Sequence, residues 1–548
     1  MLSRSVRRGA LLGLLLAGSA GGAFAQTVST APAAAPSSAD AQADRIASLE
    51  AEVQILAEQV RDLKAQTVDQ IKDVRDSQPK PAVAAAIIAN GKPGIVSTDG
   101  KFTANFHVVT QLDGAAYQQT RIGSTTADLR RSGPALGSSS TNVDLAHARA
   151  LKDGDLFRRA RIGVDGAAFG DWDYRILFDF GGTSNGVENA GQLYETWIQY
   201  SGLKPFKFRV GAFSPSLGLD DQASTSSMPF LERAVVTDLS RGLAAGDTRT
   251  AAQIFAGGDR WLANVAITGR TIGVINSGTV LSISSTPTTS AIATAPTYGD
   301  QLGFTGRLAG TPLKGSDYLV HLGVNASYVN RPASTSGPAT SGVTPITSYA
   351  IALSNTAEVR VDGTKLINTG NISASHASTV GLEFAAQKQN FLLQSEYQRF
   401  SVNRSDISSN PTFAGYYVSG TWIITGERRS YNGQSGAFDA VPVAHPFDLK
   451  SGAWGAWELG VRYSKMDLNY HAGSLGAAPT TDAIRGGDEQ NWTVGLNWYP
   501  NGITRLMLDY AQVKIDRLSP NATNYQTPTG AQIGQTYDVL SGRAQFAF

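Results

Sequence analysis

The sequence predicts an all-β chain: a transmembrane antiparallel β-barrel of about sixteen strands, preceded by an N-terminal coiled-coil helix. Three observations predict it. The chain opens on a secretory signal, yet no later apolar run nears the roughly 20 residues of a spanning helix. From Lys101 onward, apolar and polar residues alternate with period two. The connections between these runs are short and long in turn. A chain that crosses a bilayer without apolar helices must satisfy its backbone by closing a barrel.

Residues 1–25 read as the signal peptide. Arg4, Arg7 and Arg8 form a positive start, Ala10 to Gly18 an apolar core, and Ala23-Phe24-Ala25 a small-x-small cleavage site that leaves Gln26 first. The alternative, a retained membrane anchor, would need a longer apolar core. The net charge of +1 gives no pull toward nucleic acid, and the absence of cysteine excludes disulfides and thiolate metal sites. Residues 26–42 are an Ala, Pro, Ser and Thr lead-in.

Residues 43–76 carry a heptad seam. Ile46, Leu49, Val53, Leu56, Val60 and Leu63 recur at alternating spacings of three and four. So narrow a stripe needs a partner helix. β-branched a positions with Leu at d favour two strands by the general rule. Arg45-Ile46-Ala47-Ser48-Leu49-Glu50 instead resembles the pattern of short trimeric coils, in which Arg45 would reach Glu50 of the next chain. A homotrimer is the expectation. A lone amphipathic helix lying on its own protein is the alternative. Pro79, Pro81 and Pro93 make 77–100 a linker.

The barrel domain spans 101–548. Alternating runs start near residues 101, 156, 172, 191, 205, 250, 260, 301, 317, 377, 390, 414, 455, 489, 502 and 534. In the hairpin from Phe157 to Gly182, Ala160, Ile162, Val164, Tyr174, Ile176, Phe178 and Phe180 fall on one face, and Arg159, Arg161, Asp165, Arg175 and Asp179 on the other. Lipid outside and water inside explain both faces. A slip of one residue would carry each arginine into lipid at roughly 2–4 kcal/mol near the midplane. FKFRVGAF sends Phe206, Phe208 and Val210 out, and Lys207 and Arg209 in. Trp457, Leu459, Val461 and Tyr463, then Trp492, Val494, Leu496 and Trp498, point out in later strands, with Glu458 and Arg462 in. A soluble sandwich would bury the apolar face and would leave the secretory signal unexplained. One connection, 428–454, is long where the pattern requires a short periplasmic turn.

These blocks resemble the phosphate-selective porin O and P family. The likeness is carried by QLDGAAY, FRRARIGVDGAAFGDWDYRILFDF, YSGLKPFKFRVGAFSPSLGLD, TSSMPFLER, ITGERRSYN, GAWGAWELGVRYS and GLNWYPNGITRLMLDYA. It implies a sixteen-stranded trimeric outer-membrane porin with a loop folded into the pore and a cationic path. The terminal alternating strand, with Phe546 and Phe548, resembles the signal that outer-membrane assembly reads.

Passive diffusion of small anions such as phosphate is the expected function. The inward cations named for that path are Arg159, Arg161, Arg175, Lys207 and Arg209. A charge here must attract an ion without trapping it. The third long loop, from about Ser214 to Arg249, is where the resemblance places the constriction. It holds Arg233 and Arg241, but also Asp220, Asp221 and Asp238, an acid-rich mix that departs from a strongly phosphate-selective pattern. A weakly selective porin for another solute is one alternative. A barrel-anchored envelope tether, whose coil binds peptidoglycan or an envelope protein, is another. No catalytic, cofactor or metal site is expected. His107, His147, His321, His376, His445 and His471 show no metal spacing.

Overall fold

The structure, a computed structural model, describes residues 38–77, 85–89, 92–119, 151–184, 187–188, 191–245, 248–272, 301–332, 334–336, 347–520 and 529–548. The expected signal peptide, most of the lead-in and His147 lie outside them. The chain forms two compact units, 1–81 and 82–548.

The first unit is a single helix, α1, Ser38–Ser77. It starts within the expected lead-in, where Ala39, Asp40, Ala41 and Gln42 continue the helix beyond Pro36, and an acid near the N-terminus suits the helix dipole. It stops before Gln78-Pro79, since a proline disfavours helix at the residue before it. The six seam residues Ile46, Leu49, Val53, Leu56, Val60 and Leu63 are 52–62 % exposed in the single chain.

The second unit is a closed barrel of sixteen antiparallel strands. They are β1 Thr103–Gln119, β2 Gly154–Ala168, β3 Trp172–Asp179, β4 Gln192–Tyr200, β5 Phe206–Phe213, β6 Arg249–Gly257, β7 Trp261–Thr271 and β8 Leu302–Lys314. Then follow β9 Tyr318–Arg331, β10 Ile372–Lys388, β11 Phe391–Arg404, β12 Thr412–Ile423, β13 Ala456–Tyr470, β14 Ile484–Tyr499, β15 Thr504–Asp516 and β16 Thr536–Ala547. Each lies within five residues of its expected start. Neighbours in sequence pair with one another, and β16 closes on β1 from Tyr537↔Gln119 to Ala547↔Val109. Within the stretch expected as linker, Ala85–Ala89 and Lys92–Val96 form a hairpin whose second strand pairs with the start of β1.

Side-chain parity follows the alternation. Ile162 pairs across from Phe178 and both are exposed to the outside, whereas Arg161 pairs across from Asp179 and both turn inward. The β2–β3 turn reverses through Phe169 and Gly170 at φ of 54° and 84°, a left-handed pair that Gly170 makes easier.

The lumen is largely filled. The third long loop, described over residues 214–245, descends into it with two short α-helices, α2 Leu219–Gln222 and α3 Val235–Ser240, and a π-helical turn, Arg241–Ala245. Of the fifth, residues 347–371 fold in beside it. Val235, Val236 and Leu239 of α3 pack with Ile351, Leu353, Ala357 and Ile367 of the fifth loop. Both rest on inward apolar residues of the wall, among them Phe400, Phe413, Met466, Val513 and Val539. These residues alternate as the others do, but their inward face meets a loop instead of water. The irregular connection, residues 424–455, enters from the short-turn rim: Ala437 and Phe438 pack on Leu319, Ala385, Leu392 and Leu219.

The last residue extends the closing ladder. Phe548 and Val108 exchange backbone hydrogen bonds at 3.0 Å each way, and the Phe546 and Phe548 rings meet edge to face at 5.5 Å. Phe548→Ala is expected to leave the ladder but lower the yield of folded barrel. Comparing the heat-modifiable fraction in outer membranes with wild type checks this, and full-level assembly would count against a terminal signal.

Candidate functional site

An irregular loop inside a barrel has carbonyl oxygens that need donors. Arginines supply them. Arg543 on β16 forms a bidentate pair with Asp113 at 2.6 Å and donates at 2.6 Å to the Leu231 oxygen. Arg505 donates to the Met228 oxygen. Arg462 pairs with Glu358 of the fifth loop and donates at 2.9 Å to the Glu232 oxygen. Arg307 pairs with Glu383 at 2.7 Å and donates to the Ser435 and Gly436 oxygens of the 424–455 segment. Arg429, in that segment, pairs with Glu458 at 2.7 Å and donates to the Ser227 oxygen. All are buried. A guanidinium has five donors, so a carboxylate can neutralise it while spare N–H groups hold backbone.

A second set of arginines surrounds the space left open. A cavity of about 350 Å³ lies between the wall and the third loop. Arg158, Arg159, Arg161, Arg233, Arg241 and Arg360 line it, with Asp179, Asp238, Tyr194 and Thr225. A larger apolar groove of about 540 Å³ lies on the outer wall around Tyr318, Phe391 and Trp422, and there it meets lipid.

Two β-bulges build the cavity wall. Arg158-Arg159 breaks strict alternation, which would send Arg158 into lipid. The pairing instead jumps from Gln111↔Arg159 to Leu112↔Phe157, so Arg158 is the extra residue and turns inward. Its guanidinium meets Glu232 at 2.6 Å. On the facing hairpin the register jumps from Leu177↔Glu195 to Phe178↔Leu193, leaving Tyr194 as the extra residue. The Arg161 guanidinium stacks 3.7 Å above its ring. Sequence reasoning missed Arg158, and Arg360 in the fifth loop. The signal for the first was the arginine doublet itself, since both charges can turn inward only through a bulge.

The five expected path cations all lie on the inward face of β2, β3 and β5, descending from Arg159 and Arg161 through Arg175 to Arg209 and Lys207 near the short-turn rim. Their partners divide them. Arg161 is paired with Asp179 at 2.7 Å, and Arg175 with Glu195 at 3.1 Å and Asp165 at 3.5 Å. The other three donate to amide oxygens: Arg159 to Gln111 at 2.7 Å, Arg209 to Gln199 at 2.8 Å, and Lys207 to Gln434 at 2.9 Å. Arg209 also lies 4.1 Å over the Trp197 ring.

The expected constriction residues are tied within the loops. Arg233 donates to the backbone oxygens of Asp220, Asp221 and Ala223 at 3.0, 3.2 and 2.8 Å, so it staples the third loop. Asp221 is paired with Arg241, and Asp238 with Arg360 and, at 3.8 Å, Arg241. Glu232 is the hub: Arg158, Arg543, Arg360 and Arg159 lie 2.6, 3.2, 3.8 and 3.9 Å from it. Burial alone would raise its carboxyl, but the surrounding guanidiniums hold it well below the usual range. Six arginines against Asp179 and Asp238 line the cavity itself, so its wall carries more positive than negative groups.

Comparison with known proteins agrees with this architecture. The profile of the family "phosphate-selective porin O and P" matches residues 137–548. Porin O of Pseudomonas aeruginosa is 25 % identical over 456 residues, covering 80 % of this chain and 93 % of the relative. Among solved structures, OmpT, an outer membrane protein of Vibrio cholerae, aligns with 82 % of this chain and 98 % of its own at 10 % identity and a TM-score of 0.44. An anion-selective porin from Comamonas acidovorans aligns with 82 % and 100 % at 11 % identity and a TM-score of 0.41. With a closed sixteen-stranded barrel and a family match across most of its length, this chain is an outer-membrane porin and belongs to the phosphate-selective porin O and P family.

Proposed function

We propose that this porin passes small anions, phosphate among them, down the wall formed by β2 to β5. The observation that carries the reading is the pairing pattern of the wall cations. Gln199 and Gln434 hold Arg209 and Lys207 in place without neutralising them, and Gln111 orients Arg159, which also lies 3.9 Å from Glu232. A passing anion thus meets charge already oriented. The ion-paired Arg161 and Arg175 supply donors at a lower field. This mixture favours moderate anion preference and weak phosphate binding, since conduction requires that an ion also leave. The description of the family, phosphate-selective porin O and P, supports phosphate as one solute.

The protein acts in this reading as a homotrimer through α1. Support comes from the exposed Ile46 to Leu63 stripe, which a partner helix would cover, and from the Arg45 and Glu50 positions beside it. The same helix is available to peptidoglycan or an envelope protein.

The charge assignment is tested by replacing Lys207 and Arg209 together with glutamine. The reversal potential in a KCl gradient is expected to move toward cations, and to move further as salt is diluted, because the Debye length grows from about 8 Å at physiological salt to roughly 30 Å at 0.01 M. An unchanged reversal potential would remove these residues from the ion path.

Acid is expected to act in two stages. Burial raises the Asp220 carboxyl in the third loop, so its charge is lost before that of Asp238 as pH falls, and anion preference should increase. Burial acts in the same direction on Asp238, but Arg360 and Arg241 overcome it and hold this carboxyl low. A depressed folded pKa stabilises the folded loop above the unfolded value of about 3.9 and loses that contribution as pH falls through the folded value. The Arg360–Asp238 tie between the two lumen loops should therefore persist through the first stage and release only in stronger acid. Single-channel conductance recorded from pH 7 downward checks the order. A conductance change that precedes the selectivity change would reverse it.

The coil is tested separately. Removing residues 26–76 is expected to lower the melting temperature of the trimer in detergent while leaving the strand content of the barrel intact. A trimer of unaltered stability would place the whole assembly on the barrel wall.

A further inference from the structure

The 424–455 segment has two halves that face opposite ways. Its first half, with Arg429 and Phe438, fills the lumen. Its second half crosses to the outside of the barrel. There the Phe447 ring meets the outward Trp498 edge to face at 5.4 Å, and Trp498 stacks on Trp457 at 5.7 Å. Trp498 and Trp457 belong to the outward faces of β14 and β13, continuous with Leu496 and Val461. At the tip of the segment, Leu449 is 74 % exposed and Trp454 61 % exposed.

This tip is held firmly. The Phe447 N–H donates to the Pro500 oxygen at 2.7 Å, and Trp498 Nε1 donates to the Trp454 oxygen at 2.7 Å. Asp448 and Ala453 exchange backbone hydrogen bonds at 3.0 and 3.1 Å, and the Lys450 N–H donates to Asp448 Oδ1 at 2.9 Å. The turn thus fixes large apolar groups outward on the periplasmic rim, where a connection facing water alone would be polar. We propose that residues 446–454 form an interfacial foot that dips into the phospholipid leaflet on the periplasmic side, with Leu449 and Trp454 among the upper acyl chains and Lys450 at the phosphates. The occupant is lipid because the foot prolongs the lipid-facing aromatic belt instead of standing apart from it. Tryptophan prefers that depth, with its ring in the apolar boundary and its N–H near polar groups. A lysine on a flexible stem reaches the headgroup layer from the same position.

The chain contains no cysteine, so a single introduced thiol reports one place. Leu449→Cys, spin-labelled in the full-length protein in phosphatidylcholine/phosphatidylglycerol vesicles, is compared with Asp259→Cys in the exposed β6–β7 turn on the same rim and with Val461→Cys on the lipid face. The foot predicts an oxygen-to-nickel-chelate accessibility ratio several-fold above that at residue 259 and approaching that at residue 461. A ratio equal to that at residue 259 would place the tip in water and overturn the proposal. Shielding from both reagents, with spin–spin broadening, would mean that a second copy covers it, and would overturn the proposal equally. Ser451→Cys on the same turn gives the reading should Leu449→Cys not assemble. None of these outcomes depends on which ions the pore prefers.

Discussion

The buried guanidinium that faces two ways carries the interior of this barrel. Each of Arg307, Arg429, Arg462 and Arg543 sets part of its charge against a carboxylate and spends its remaining N–H groups on loop carbonyls. Neither half suffices. A buried arginine without Asp113 or Glu458 would carry an uncompensated charge, and a loop without those donors would leave backbone unsatisfied. Together they hold in place the third loop, whose regular structure among the described residues is two short α-helices and one π-helical turn. Lysine could not substitute here, because one ammonium lacks the planar fork that serves a carboxylate and two carbonyls at once.

This arrangement gives the two sides of the lumen different roles. Along β9 to β16 the inward face combines polar side chains such as Glu383, Glu458 and Arg462 with an apolar patch that packs on α3 and the fifth loop. Along β2 to β5 it is polar, and the cavity lies there. That polar side is also where the wall is lowest, since β3, β4 and β5 have only 8, 9 and 8 residues. The third loop is the partition: Leu239 turns to the apolar side, while Glu232 and Asp238 turn to the arginines.

The strand set and its closure were legible because lipid punishes every register slip, so the period-two pattern has little freedom. Inward arginines were legible for the same reason. Their division of labour was not. Arg543 and Arg159 look alike in sequence, and only the loop that reaches one of them separates a structural staple from a charge beside open space. Arg233 shows this most directly: read as a constriction residue, it is occupied by three carbonyls of its own loop. The bulges at Arg158 and Tyr194 were illegible as parity, because a single extra residue shifts every later side chain by one face. The long 424–455 connection was visible as an irregularity, but its inward half depends on partners such as Leu219 and Ser227 that lie far away in sequence.

The glutamine partners bear on how quickly anions exchange. A guanidinium locked to a carboxylate gives up part of that bond whenever another anion approaches, so each arrival and departure carries a reorganisation barrier. An amide oxygen fixes the direction of Arg209 and of Lys207 and takes no charge from them. No carboxylate has to be displaced when an anion comes, and none has to return when it goes. Positive charge held this way serves throughput: residence at each station is short, and the stations are ready again as soon as the ion has moved on.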